Sequence, residues 1–183
     1  MKNAILLHGM YGNPDNFWFA WLRQQLTEQG FAVTAPQLPD PDNPNLSVWT
    51  PFALQNLKFD TETVIVGHSA GCPLALSILD SLNHSIRRTV LIAGFFRLKE
   101  MQDDNVMLMK SPDWAKIRSN GHEFFFLNAD NDPWGCDQHQ GAMLREKLGG
   151  TQIILTGESH FGSKTFKQTY PTFPLLKEIC LLA

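Results

Sequence analysis

The sequence predicts an α/β fold of three layers, in which about six mainly parallel strands are flanked by helices. Short apolar runs recur along the chain with helical segments between them. These runs are continuously apolar, most clearly at residues 63–66, which is typical of strands buried on both faces between layers of helices. A chain of 183 residues with 43% hydrophobic content suffices for one core, so we expect one domain over residues 1–183.

The predicted elements alternate strictly along the chain. The strands cover residues 3–8, 31–35, 63–68, 88–93, 123–128 and 152–156. Asn13 is the expected cap of the first helix, Pro14 suits its first turn, and Gly30 suits the left-handed conformation after its end. Pro51 interrupts the pattern near the start of the second helix, because proline donates no backbone hydrogen bond. The later helices are expected at residues 47–57, 70–82, 137–148 and 172–182.

Two segments depart from this alternation. Residues 36–45 contain four prolines and are expected to form a surface loop. Residues 95–120 are longer than an ordinary connection and mix apolar with polar side chains. Two interpretations of this second segment remain open, a packing helix, which we favour, and a small lid.

The composition argues against several classes of partner. The net charge is −3 and long runs of Lys or Arg are missing from the sequence, which argues against nucleic acid. The apolar stretch at the N-terminus is too short for a signal peptide or a membrane span, so we expect no membrane insertion. A small-molecule substrate is the expected partner, and the oligomeric state stays open.

The cysteines indicate the compartment. Cys72, Cys136 and Cys180 are odd in number and far apart in sequence, which fits a reducing environment, and we expect the cytoplasm. None of them has the spacing of a structural zinc site. We therefore expect neither a metal nor a cofactor.

A candidate nucleophile lies where four loops are expected to meet. Loops that leave the C-terminal ends of parallel strands gather at one edge of the sheet, and here they comprise residues 8–12, 67–71, 128–134 and 157–161. The second of these, Gly-His-Ser-Ala-Gly, closes a buried strand and opens a helix, which is the setting of a nucleophile elbow. Its small residues suit the strained turn that exposes Ser69. The alternative is a tight glycine turn with a serine helix cap.

A serine nucleophile needs a base and a carboxylate that orients the base. The chain order serine, acid, histidine of such sites is matched by Ser69, Asp132 and His160. His139 also follows the acid loop, but it falls early in a predicted helix. An ordinary exposed loop histidine is the alternative interpretation of His160.

Three aspartates are candidates for the acid. Asp130, Asp132 and Asp137 all lie in the loop after the fifth strand. We favour Asp132 because Pro133 rigidifies the turn that follows it. Asp130 is the next candidate.

The remaining site residues are assigned by their place in the loops. The backbone N–H of Ala70 and that of Met10 or Tyr11 are the expected oxyanion donors, although a plain glycine turn would also explain the first loop. The candidate substrate-binding residues are Trp134, Phe161 and His68. Trp49 and Phe95 are further candidates for an apolar pocket, with core packing as the alternative for each, and His8 is expected to be structural or pocket-lining.

Four segments together resemble a known family. They are Leu7-His8-Gly9, Gly67-His68-Ser69-Ala70-Gly71-Cys72, Asn131-Asp132-Pro133 and Gly157-Glu158-Ser159-His160-Phe161. They resemble the small α/β-hydrolase serine hydrolases that include the YdeN-like proteins and the retinoblastoma-binding serine hydrolase, over about residues 3–182. The resemblance implies a compact α/β-hydrolase fold without a large cap domain, and a triad of Ser69, Asp132 and His160.

The sequence also departs from that family. Ser159 stands directly before the histidine, where family members often have glycine. The chain has no Leu-x-Cys-x-Glu segment, so binding to the retinoblastoma protein is not carried over.

These observations predict a serine hydrolase, an esterase-like acyl hydrolase that acts on a small ester, thioester or amide. Acyl transfer or lyase chemistry with the same triad remains open. A binding protein that keeps the fold with little or no catalysis is the alternative from a different class, because a fold does not fix a function.

Overall fold

The computed structural model describes residues 1–182, so that Ala183, the end of the predicted domain, lies outside the described residues. The strands are β1 Asn3–Leu7, β2 Ala32–Thr34, β3 Thr63–His68, β4 Arg88–Ile92, β5 Glu123–Ala129 and β6 Thr151–Leu155. The helices are α1 Phe19–Glu28, α2 Leu46–Asn56, α3 Gly71–Ser81, α4 Trp114–Gly121, α5 Gln138–Leu148 and α6 Pro174–Leu181. The predicted alternation of strands and helices is confirmed.

All neighbouring strands are parallel, in the order β2-β1-β3-β4-β5-β6. The chain moves outward from β1 to β2, returns to β3 on the other side of β1, and continues in that direction to β6. The order therefore reverses between β1 and β3, and parallel sheets bind ligands at such a point. Leu7 is paired with Gly67 there, so the loops that leave β1 and β3 lie side by side.

Two buried apolar clusters cover the two faces of the sheet. Alternate residues of one strand point to opposite faces. Thus Ile5 and Leu7 of β1 belong to the cluster under α2, α3, α4 and α5, whereas Ala4 and Leu6 belong to the cluster under α1 and α6. Burial on both faces explains why the strands are continuously apolar, and the three-layer α/β fold is confirmed.

A buried arginine joins the last helix to the sheet. Arg88 in β4 is only 1% exposed, and its Nε donates to Glu123 Oε2 at 2.8 Å. Its Nη1 donates to the carbonyls of Ile179 at 2.9 Å and Leu182 at 3.0 Å. The last carbonyls of a helix have no partner within the helix, and the guanidinium supplies one at the end of α6.

The first helix starts later than predicted. The Asn13 side chain accepts from the N–H of Asp15 at 2.9 Å and so closes a turn instead of capping a helix. Phe17 has a φ of +54°, which a right-handed helix cannot include, and α1 begins only at Phe19. Gly30, with a φ of +82°, has the conformation expected of it after the helix end.

The long segment at residues 95–120 contains both a helix and an irregular part. α4 at its end packs on the core through Ile117 and Trp114, so the packing helix is present. The irregular part passes the carboxyl edge of the sheet. Within residues 1–182 we find no helix with the length and apolar character to cross a bilayer.

Candidate active site

A cleft of about 560 Å³ opens at the carboxyl edge of the sheet. The loops after β1, β3, β5 and β6 all contribute to it, through Met10, Ser69, Trp134 and His160 respectively. The four loops expected to meet at this edge therefore do so. The irregular segment before α4 forms a further wall.

Ser69 lies in a strained turn between β3 and α3. Its φ is +54°, and its N–H donates to the carbonyl of Ile92 at 2.9 Å. Glycine is required on both sides of it. A Cβ at Gly67 would lie 2.7 Å from the carbonyl oxygen of Gly71. A Cβ at Gly71 would collide with the carbonyl oxygen of Leu7. The five-residue motif thus lets α3 start directly against the end of β1, with the serine at the tip of the turn.

His160 and Asp132 are joined by a buried hydrogen bond. Nδ1 of His160 lies 2.7 Å from Oδ2 of Asp132, whose side chain is fully buried. The other carboxylate oxygen accepts from the N–H of Trp134 at 2.8 Å. An ionised carboxylate only accepts, so Nδ1 of the imidazole carries the proton and Nε2 is left as the basic nitrogen.

Ser69 and His160 line the same cleft, but the described residues show no hydrogen bond between Ser69 Oγ and the imidazole. Nucleophile and base are often further apart in a ligand-free site and come together when substrate binds. The arrangement brings Ser69 and His160 to one cleft, and it places the fully buried Asp132 side chain behind the imidazole and bonded to it.

The neighbouring Asp130 and Asn131 hold the loop of His160 from outside. Oδ1 of Asp130 accepts from the N–H of Gly157 at 2.8 Å, and Oδ1 of Asn131 accepts from the N–H of Ser159 at 2.8 Å. Asp132 is the aspartate of this loop that contacts His160. Asp130, the second candidate for the acid, is bonded to the backbone instead.

The backbone amides beside Ser69 differ in what they bind. The N–H of Tyr11 donates to the carbonyl of Pro41 at 2.8 Å, which removes it from the pair of candidate oxyanion donors. The N–H groups of Met10 and Ala70 donate to no acceptor within residues 1–182. The two loops approach closely at this point, since a Cβ on Gly9 would lie 2.8 Å from Ser69 Cβ.

Two buried histidines flank the cleft as neutral rings. Burial lowers the pKa of His8, whose Nδ1 donates to the carbonyl of Gly9 at 2.9 Å and whose Nε2 accepts from the N–H of Leu38 at 3.1 Å. Burial, together with the ring of His160, lowers the pKa of His68 to about 3. Nε2 of His68 donates to the carbonyl of His160 at 2.8 Å. The ring of His68, one of the candidate substrate-binding residues, borders the cleft, and its Nε2 donor is bonded to the backbone.

Comparison with known proteins decides the family. The family model described as Serine hydrolase matches residues 4–178. The chain belongs to the serine hydrolase family. It is 26% identical over 175 residues to "Serine hydrolase RBBP9" of Rattus norvegicus, a match that covers 90% of each protein. Membership assigns hydrolase function at this coarse level and confirms the resemblance seen in the sequence.

Solved structures agree on the fold of this serine hydrolase. The crystal structure of the ydeN gene product from Bacillus subtilis matches with a TM-score of 0.87 and 22% identity, over 98% of this chain and 96% of that one. Est1E from Butyrivibrio proteoclasticus, bound to ferulic acid, matches with a TM-score of 0.68 and 13% identity, over 98% and 86%. At such identities the likeness shows the fold alone, and the fold is that of the α/β-hydrolases.

The aromatic candidates for substrate binding in this serine hydrolase separate into two groups. Trp134 and Phe95 line the cleft, and Trp134 is 42% exposed. Phe161 is fully buried and stacks on Phe173, so it belongs to the core and not to the cleft. Trp49 is likewise a core residue, with its indole N–H on the carbonyl of Pro39.

Cys136 lies against Asp132 and His160, the predicted acid and base. Ligand atoms of Asp132, Cys136 and His160 all lie within 4.8 Å of one another, which is the kind of grouping that can hold a metal ion. Burial and the charge of Asp132 raise the pKa of the Cys136 thiol well above its ordinary value. Asp132 and His160 already use Oδ2 and Nδ1 for the hydrogen bond between them.

Sequence reasoning missed two features of the site. One is the set of apolar residues on the irregular segment that line the cleft beside Phe95: Leu98, Met101, Val106 and Met107. The other is Gln168, which bonds the backbone of the His160 loop. Its neighbours in sequence are polar and show no pattern that marks it.

Proposed function

We propose that this serine hydrolase is an esterase-like acyl hydrolase that uses Ser69, His160 and Asp132 on a small ester, with thioesters and amides open to the same chemistry. The observation that carries the proposal is the buried contact of Asp132 Oδ2 with His160 Nδ1 at the cleft that Ser69 enters from its strained turn. A hydroxyl, an imidazole and a carboxylate in this order are the requirements of serine acyl transfer.

The first half of the reaction forms an acyl-enzyme. Ser69 Oγ attacks the carbonyl carbon of the substrate while Nε2 of His160 takes the hydroxyl proton. Asp132 holds the imidazole in the required tautomer and stabilises the imidazolium that forms. The carbonyl oxygen becomes an oxyanion and accepts from the N–H groups of Met10 and Ala70, which have no other acceptor within residues 1–182. The bond to the leaving group then breaks, and the leaving group takes the proton from His160.

The second half releases the acyl group. A water molecule gives a proton to His160 and attacks the acyl carbon, and collapse of the second oxyanion intermediate breaks the bond to Ser69 Oγ. The imidazolium returns its proton to Ser69, and the carboxylic acid leaves. Every proton passes through one nitrogen, Nε2, so the reaction needs no group beyond the residues named.

The side chains on one wall of the cleft favour a substrate with a neutral, apolar acyl group. Phe95, Leu98, Met101 and Met107 line the cavity from the irregular segment. Pockets that bind small molecules are commonly apolar with a few polar groups that fix the orientation of the ligand. Polar side chains such as Asn16, Asn43 and Lys164 line other parts of the cleft, so the acyl group would lie against the apolar side. A hydrocarbon chain that packs against the apolar side chains has its apolar surface removed from water, which favours binding.

The proposal is tested by hydrolysis of p-nitrophenyl acetate. Ser69→Ala should reduce the rate to the background of buffer alone, whereas Ser81→Ala, an exposed serine at the far end of α3, should keep the wild-type rate. If Ser69→Ala hydrolyses the ester as fast as the wild type, Ser69 is not the nucleophile and the proposed function is wrong. If neither wild type nor variant exceeds the buffer rate on a panel of esters, thioesters and amides, the fold serves binding instead.

A further inference from the structure

The backbone on both sides of His160 is strained. Ser159 has a φ of +52° and Phe161 a φ of +55°, although neither is glycine. A side chain with a Cβ is unfavourable in this left-handed region, and such residues persist only where surrounding contacts hold them there. The position of the His160 imidazole therefore depends on whatever fixes this loop.

Gln168 holds the loop with three hydrogen bonds from one side chain. Its Oε1 accepts from the N–H of His160 at 3.2 Å and from the N–H of Gly162 at 3.0 Å. Its Nε2 donates to the carbonyl of Glu158 at 2.7 Å. Two amides face the oxygen and one carbonyl faces the nitrogen, so the partners fix the orientation of the side-chain amide.

A short hairpin brings Gln168 back to this loop. The backbones of Ser163 and Gln168 exchange two hydrogen bonds, of 3.1 Å and 2.9 Å. The Ser163 hydroxyl accepts from the N–H of Phe166 at 3.2 Å within the same turn. The hairpin itself is part of the chain that follows His160, so Gln168 acts as a local brace.

The opposite side of the same residue is held by His68. The carbonyl of His160 accepts from Nε2 of His68 at 2.8 Å, while its N–H donates to Gln168. Asp132 holds the imidazole at Nδ1. The amide, the carbonyl and the ring of His160 are therefore each fixed by a different side chain.

We propose that Gln168 is a positioning residue for catalysis, which acts through the backbone of His160 to hold Nε2 of the imidazole in line with Ser69. This inference rests on the proposed function. Gln168 is not among the residues that line the cleft, so it does not meet the substrate. Its loss should lower kcat and leave KM nearly unchanged.

The test replaces Gln168 by leucine, which has a similar size but neither accepts nor donates a hydrogen bond. We expect kcat for p-nitrophenyl acetate to fall by about 10- to 100-fold, because a displacement of the base by about 1 Å is enough for such a loss. KM should stay within about twofold, and the far-UV circular dichroism should match the wild type. Gln24→Leu, at an exposed glutamine on α1, is the matched control and should leave both constants unchanged.

A double-mutant cycle with Asp132→Asn separates positioning from general stabilisation. Once Asp132 no longer orients the imidazole, the further loss of Gln168 should reduce kcat by less than about threefold, measured at high enzyme concentration. An equal loss of kcat in both backgrounds, or a loss that follows the fraction of unfolded protein, would overturn the inference, as would a Gln168→Leu enzyme with kcat within twofold of wild type.

The Ser69→Ala enzyme distinguishes failure of the role of Gln168 from failure of the proposed function. An inactive Ser69→Ala variant beside a fully active Gln168→Leu variant refutes the role of Gln168 alone. A fully active Ser69→Ala variant refutes the serine mechanism, and the role of Gln168 with it.

Discussion

Oδ2 of Asp132 lies 2.7 Å from Nδ1 of His160, across two loops that leave adjacent strands. Ala129 at the end of β5 is paired with Leu155 at the end of β6, so the two loops start level and side by side. The parallel register of the sheet thus places the proposed acid and the proposed base together. Asp132 and His160 can therefore meet although each loop only turns toward the cleft and does not have to reach across the sheet.

Replacement of the proposed acid should disable catalysis without disturbing the fold. Asp132→Asn keeps the size of the side chain but favours the wrong imidazole tautomer, and we expect kcat to fall by up to about 10⁴-fold. Asp130→Asn is the matched control, because its amide oxygen still accepts from the N–H of Gly157, and its rate should stay near that of the wild type. Steady-state hydrolysis of p-nitrophenyl acetate measures both. The reverse result, a slow Asp130→Asn and a normal Asp132→Asn, would transfer the role to Asp130.

Much of the fold was predictable because the signals are local. The continuous apolar run at residues 63–66 marks a strand buried on both faces, and Gly67 and Gly71 mark the tight turn around Ser69. Each depends on residues that are neighbours in sequence. The order serine, acid, histidine then follows from the order of the strands.

What could not be predicted depends on contacts between distant residues. The amide of Tyr11 is bonded to Pro41, and nothing near Tyr11 in sequence shows it. Phe161 turns into the core because its carbonyl accepts from the Trp18 indole and its ring meets Phe173, both far away in the chain. Asn13 resembles a helix cap, yet the left-handed Phe17 delays the helix.

The apolar wall of the cleft should set a preference for acyl chain length. Each buried methylene contributes about 0.8 kcal/mol, or roughly fourfold in kcat/KM, until the cleft is filled. We expect kcat/KM for p-nitrophenyl esters to rise from acetate through butyrate to hexanoate and then to level off or fall. A flat or falling series from acetate onward would show that the acyl chain does not bind this wall.

A larger side chain on the same wall should narrow the cleft. Leu98→Trp introduces a larger side chain into the cleft and should shift the preferred ester to a chain shorter by a few carbons. Leu54→Trp, at an exposed position on α2 outside the cleft, should keep the wild-type series. Kinetics of both variants on the same set of esters compare the two shifts.

His68 should make the protein less stable in acid. Its pKa is lowered from 6.5 to about 3 in the folded state by burial and by His160. The unfolded chain therefore binds a proton that the folded protein does not, and stability is lost as the pH falls from about 6.5 toward 3. Between pH 7 and pH 5 this group accounts for about 2 kcal/mol of the free energy of unfolding. His8, whose pKa is also lowered, adds a change of the same sign.

Urea unfolding at pH 7 and pH 5 measures this linkage. The difference in unfolding free energy between the two pH values should be smaller in His68→Phe than in the wild type. His139→Gln, an exposed histidine on α5, should keep the wild-type difference. An equal difference in His68→Phe and wild type would mean that His68 titrates alike in the folded and unfolded states.

Arg88 should matter for stability and not for chemistry. Arg88→Met leaves carbonyls at the end of α6 without their buried donor and breaks the contact with Glu123, at an expected loss of about 3 kcal/mol. Arg97→Met, whose partner Asp103 is exposed, should lose less than about 1 kcal/mol. Urea unfolding compares the two, and kcat of folded Arg88→Met should match the wild type. A loss as small as that of Arg97→Met would contradict the anchoring of α6.

Covalent labelling of the nucleophile tests the central claim most directly. A fluorophosphonate probe reacts with serine that is activated by a base, and we expect wild-type protein to gain one adduct, located at Ser69 by peptide mass spectrometry. The adduct should be lost in Ser69→Ala and form far more slowly in Asp132→Asn. A wild-type protein that stays unlabelled, or that carries the adduct on another residue, would contradict the account.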